Sequence, residues 1–143
     1  MRFWDSSAIV PLLAEEPASR ACREVLRRDG AQVVWWLTRT EALSALCRRQ
    51  RDGALTRAEL GRAAQRLEKL AARWAEVEPI PAVREAAERL LRLHRLRAAD
   101  ALQLGAALVA ADDRPRGRPF VSLDDVLTEA AEREGFTAVV PVG

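Results

Sequence analysis

Short apolar runs alternate with longer amphipathic stretches along this chain, and that alternation restricts it to an α/β architecture with a mainly parallel sheet flanked by helices. Residues 2–4 are strand-like and 6–13 have helical spacing. Residues 18–28 read as an amphipathic helix stopped by Asp29-Gly30, and 32–37 are β-branched and aromatic enough for a buried strand. A helix over 40–51 ends at Asp52-Gly53. Thr56-Arg57-Ala58-Glu59 has the form of a capping box, and Leu60, Ala64, Leu67, Leu70, Ala71 and Trp74 recur behind it at helical spacing. Pro79 confines a strand over 76–80 to an edge or a strand end, and Pro81 suits a helix start. Helices over 82–93 and 98–111, a strand over 120–123, a helix over 124–134 and a strand over 137–142 complete the pattern. Gly135 is the expected left-handed cap. No repeat, low-complexity tract or linker interrupts it, so residues 1–143 are expected to form a single domain.

The 49% hydrophobic content of these 143 residues is enough for one core. The longest apolar runs fall well below the roughly 18 residues that cross a bilayer, and no basic-then-apolar leader opens the chain. No membrane association and a cytoplasmic location are therefore expected. Cys22 and Cys47 lack CxxC spacing and read as buried thiols rather than a disulfide frame or a zinc site. Net charge is only +2, but among the 23 basic residues Lys69 is the sole lysine and the rest are arginine. Arginine suits phosphate. A GC-rich genome would produce the same bias.

Four acids, Asp5, Glu41, Asp100 and Asp124, sit where a strand gives way to a helix or in the opening turns of a helix. In a parallel sheet all four would gather at the carboxyl edge, where α/β folds bind ligands. Each has an innocent alternative. Asp5 and Asp124 could be helix caps, Glu41 could close a capping box with Thr38, and Asp100 could pair with Arg97. Asp100, however, lies in AADALQLGAALVAA, apolar on most faces, and a buried carboxylate needs a partner. A cation shared by all four fits the set, and an oxygen-only set selects Mg²⁺ or Mn²⁺ over zinc.

Asp5-Ser6-Ser7-Ala8, Glu41 in TRTEALSAL, Asp100 in LRAADALQLGAAL and Asp124 in FVSLDDVLTEAA together resemble the four acidic motifs of PIN-domain ribonucleases, in particular the VapC-type toxins of toxin–antitoxin pairs. Motif order and spacing agree along essentially the whole chain. The resemblance implies a PIN-like three-layer sandwich and an endoribonuclease with Asp5, Glu41, Asp100 and Asp124 as metal ligands. Ser7 and Ser122 match the small hydroxyl positions beside the first and last acids. Asp125 is read as a first-turn residue facing the helix dipole.

The chemistry expected of such a site is hydrolysis of RNA by metal-activated water, with Mg²⁺ as the ion and Mn²⁺ able to replace it. His94, the only histidine, is expected to be structural, and no P-loop, dinucleotide fingerprint or serine elbow is present. Arg39 and Arg97, beside Glu41 and Asp100, are the candidate RNA contacts. Arg48, Arg49 and Arg51 close a helix expected to run away from the site, and Arg114, Arg116 and Arg118 precede a strand and so belong at the opposite edge. An antitoxin partner whose arginine enters the acidic pocket and a homodimer are expected from the resemblance. Trp35, Trp36, Leu60, Leu67 and Trp74 exceed what one small core obviously needs, which also favours a dimer. Two other functions remain open: a catalytically silent PIN-like interaction module, and a phosphatase with Asp5 as nucleophile. Against the latter stand the missing second aspartate of a DxD pair and the lack of a suitable lysine.

Overall fold

The structure, a computed structural model, describes residues 1–142. Five strands, β1 (Arg2–Trp4), β2 (Gln32–Trp35), β3 (Ala75–Val77), β4 (Pro119–Val121) and β5 (Thr137–Val139), form one sheet in the order β3-β2-β1-β4-β5. Every pairing is parallel. Seven helices complete the described chain: α1 (Ser6–Leu13), α2 (Ser19–Arg28), α3 (Thr38–Arg51), α4 (Arg57–Ala71), α5 (Pro81–Leu93), α6 (Ala98–Ala110) and α7 (Asp125–Glu134).

Strand side chains alternate between faces, and the register puts like with like. Phe3 pairs with Val33 and Phe120, while Trp4 pairs with Val121. Phe3, Val33, Trp35 and Phe120 join residues of α5, α6 and α7 in one core, in which the Phe3 and Phe120 rings stack with centroids 5.5 Å apart. Trp4, Val34 and Val121 join residues of α1 to α4 in the other. The result is the expected three-layer sandwich. Gly105 permits the close approach of α6 to α5, since a Cβ there would lie 3.0 Å from the Val83 carbonyl oxygen and 3.1 Å from the Ala87 nitrogen.

From β1 the chain winds outward through β2 to β3, then crosses back over the other face to β4 and β5. The winding therefore reverses between β1 and β4, and the crevice beyond their carboxyl ends is the switch point where such sheets hold ligands. Asp5 follows β1 directly, and Ser122 to Asp124 follow β4.

Several local expectations hold: the Thr56 and Glu59 capping box forms, β3 is an edge strand, and Gly135 closes α7 at φ 111°. Others need correction. β2 stops at Trp35 and α3 begins at Thr38, two residues before the expected start, because the chain turns at Trp36 and Leu37. β5 stops at Val139, since Pro141 has no N–H for a ladder. Cys22 is buried as expected, but Cys47 is only half-buried; both are free thiols. Trp35, Leu67 and Trp74 are core residues rather than surplus, and Trp36 alone among the three tryptophans considered for a dimer is largely exposed.

Candidate metal centre

Asp5 is the most buried of the four acids, at 4% exposure. It stands at the N-cap of α1 without using its side chain as a cap. Its carboxylate instead accepts from the Ser7 hydroxyl and, at 2.9 Å, from the Ser122 hydroxyl. The same hydroxyls accept from the backbone N–H groups of Leu123 (2.9 Å) and Asp124 (3.0 Å), so a network of four short hydrogen bonds, two of them crossing from one end to the other, ties the end of β1 to the end of β4. Burial pushes the Asp5 carboxyl above its usual range, the two serine hydroxyls pull it down, and Asp124 pushes it up again.

Glu41 lies in the first turn of α3. Because the helix is capped at Leu37, Glu41 falls one position past the one a capping box requires, and its side chain turns across to α6. There Oε1 accepts a 2.7 Å hydrogen bond from Gln103 Nε2, whose other N–H donates to Thr38 Oγ1 at 3.0 Å. Burial raises the Glu41 carboxyl to about 7; the Gln103 bond opposes this, while Asp5 and Asp100 add to it. A hydrogen bond to a charged group contributes roughly 1.5–3 kcal/mol, whereas a buried carbonyl without a partner, such as Gln103 Oε1, costs about 1–3 kcal/mol.

Asp100, three residues before Gln103, is in the first turn of α6 behind Arg97 at the N-cap. Burial raises its carboxyl, and so does Asp124, against the Arg97 backbone N–H and guanidinium. No ion pair within 4.0 Å joins Asp100 to Arg97. Asp124 does cap its helix, with Oδ1 accepting from the Leu127 N–H at 2.9 Å. Three of the four innocent alternatives are thus unrealised, and one is.

All four acids line a single cleft of about 460 Å³ together with Ser6, Ser7, Thr40, Ser44 and Arg48. None of the four is in an ion pair among the described residues. Each stands at the amino end of a helix, where the dipole favours negative charge. The donors are all oxygens, a set suited to a hard divalent cation. Their side chains remain spread around the cleft: among the described residues no three His, Cys, Asp or Glu groups converge closely enough to grip an ion as they stand.

Arg48 corrects one expectation. α3 turns its Glu41, Ser44, Ala45, Arg48 face to the cleft, so the arginine reaches the site even though the helix runs away from it. Arg49 pairs with Glu16 and Arg48 pairs with nothing among the described residues. Neither Arg39 nor Arg97, the two expected RNA contacts, lines the cleft, although Arg97 acts on Asp100 electrostatically. His94 is outside it as well, with Nε2 2.8 Å from Glu134, which also pairs with Arg89. Gln103 was not among the residues expected at the site, and its only signal in the sequence is that it is the one polar residue a turn beyond Asp100 in an otherwise apolar helix, a spacing that puts both on one face.

The chain is similar to known proteins. Residues 2–133 match the family model described as the PIN domain. The chain is 34% identical over 110 residues to Ribonuclease VapC45 and to Ribonuclease VapC49, each from a strain of Mycobacterium tuberculosis, covering 77% of this chain and 76% of either relative. Among solved structures, FitAcB from Neisseria gonorrhoeae superposes with a TM-score of 0.67 at 16% identity, covering 99% of this chain and 98% of that one. PAE2754 from Pyrobaculum aerophilum gives 0.65 at 19% identity, covering 97% and 87%. Fold and matched length agree, and this chain belongs to the PIN-domain family, among its VapC-type members.

Proposed function

We propose that this protein is a divalent-metal-dependent endoribonuclease, the toxin of a VapBC-type pair, with Asp5, Glu41, Asp100 and Asp124 as the residues that hold the cation. The observation that carries the proposal is the convergence of four unpaired acids from four elements on one cleft, three of them with carboxyls raised by burial and mutual repulsion. The ribonuclease names of the two relatives support the substrate class.

A cation there, Mg²⁺ with Mn²⁺ as a substitute, would lower the pKa of a bound water and offset charge on the attacked phosphate. Ser7 and Ser122 hold Asp5 in place, with their own orientation set by the β4 backbone. Glu41 and Asp100 face the same space from α3 and α6. Arg48 is placed to hold a neighbouring phosphate of the RNA, and Arg97 to do so beside Asp100. An antitoxin would silence the site by inserting an arginine among the same carboxylates, and a homodimer completes the proposal.

Cleavage of a mixed RNA pool with Mg²⁺, Mn²⁺ or EDTA tests this reading. Activity should require the metal, and Asp100→Asn, nearly isosteric, should remain folded yet lose more than the roughly 10–100-fold that an outer-shell change costs. Metal-independent cleavage, or an Asp100→Asn variant as active as the parent, would sink it.

A further inference from the structure

We propose that Gln103 is a positioning residue that fixes the Glu41 carboxylate toward the cleft and couples it to α6, so that Glu41 and Asp100 present themselves to a cation as one unit. The inference rests on the cation-binding reading of the cleft. Gln103 is 1% exposed and lies on the Asp100 face of α6, one turn deeper. Its amide grips α3 at two points a turn apart, donating to Thr38 Oγ1 at 3.0 Å and to Glu41 Oε1 at 2.7 Å.

The cost of this arrangement is visible. Gln103 Oε1 is buried and has no partner among the described residues. Rotating the amide by half a turn would set that oxygen against the Glu41 carboxylate, acceptor against acceptor, so the carboxylate itself dictates which way the amide points. A side chain present for packing alone needs no polar atoms here, and leucine or methionine would fill similar space without an orphaned carbonyl. An amide also has a property that lysine or arginine lacks: it donates without bringing positive charge. Glu41 is therefore held without a fixed positive charge beside it, and its remaining lone pairs stay available for a cation, as with outer-shell donors to ligating carboxylates.

Mn²⁺ binding to the purified full chain, followed by titration calorimetry, tests the assignment without relying on activity. Gln103→Leu should bind Mn²⁺ about tenfold more weakly or worse. In a Glu41→Gln background the same change should lower affinity no further, because the effect passes through Glu41. Unchanged affinity in Gln103→Leu, or an undiminished loss in the Glu41→Gln background, overturns the proposal. Gln103→Met replaces Gln103→Leu should the latter not fold, and failure of both to fold makes the amide structural and overturns the proposal too. Asp100→Asn separates the two levels: if it binds Mn²⁺ like the parent, the cation-binding reading itself fails, whereas loss there beside an unaffected Gln103→Leu removes only the role of Gln103.

Discussion

Glu41 shows how one residue's surroundings become a property of the whole protein. Its carboxyl ordinarily titrates near 4.5 and is raised to about 7, by burial first, with Asp5 and Asp100 adding to the shift against the Gln103 bond. A carboxyl whose folded pKa lies above its unfolded one stabilises the fold fully below the unfolded value, and that contribution is lost as pH rises through the folded value. For Glu41 the window runs from 4.5 to about 7. With EDTA present, the melting temperature should therefore decline across this window, and Glu41→Gln should flatten the decline, leaving the part due to Asp5 and Asp100, which are raised in the same direction. Mg²⁺ should restore stability most at the alkaline end, where more carboxylate is ionised. Parallel melting curves for parent and Glu41→Gln between pH 4.5 and 7.5 would show that Glu41 does not titrate in this way.

At the scale of elements, α3 contributes more to the cleft than its amino end. Glu41, Ser44, Ala45 and Arg48 form one stripe, so the helix carries a carboxylate near the sheet and an unpaired guanidinium two turns out along the same wall. Arg48→Ala should raise KM for RNA several-fold with kcat little changed, and should reduce the slope of log KM against log salt by about one phosphate contact. A fall in kcat at constant KM would instead place Arg48 with the reacting atoms. This stripe also shows where sequence reading stops. The order of strands and helices was legible because β-branched runs and 3.6-residue periodicity are local signals, and the four acids were legible because each marks an element boundary. Which face of α3 turns inward was not, since it depends on a helix start at Thr38 that only tertiary packing, with the buried Thr38 receiving Gln103, determines. The Glu41–Gln103 bond joins residues 62 apart in sequence, beyond the reach of any local pattern.

For the molecule as a whole, the reversal of winding between β1 and β4 makes a cleft out of ends that no single motif contains, and two consequences can be measured. The first concerns assembly. With Trp35, Leu67 and Trp74 committed to the cores, the apolar argument for a dimer narrows to exposed groups such as Trp36 and Leu43, 48% and 41% exposed. Sedimentation should nevertheless show a dimer in the micromolar range, and a monomer throughout would remove that part of the proposal. The second concerns the products of cleavage. Attack by the ribose 2′-oxygen requires a base and an acid to move protons. The sole histidine is held by Glu134 outside the cleft, so the chain offers no histidine pair for that route. With a cation held by the four carboxylates as proposed, water should be the nucleophile, leaving a 5′-phosphate, and a single 2′-deoxy substitution at the scissile nucleotide should still be cut once its binding has been verified, because a lost 2′-hydroxyl contact can weaken affinity independently. Resistance of that bound substrate, or a 2′,3′-cyclic phosphate among the products, would exclude hydrolysis by activated water and require the four carboxylates to serve another chemistry.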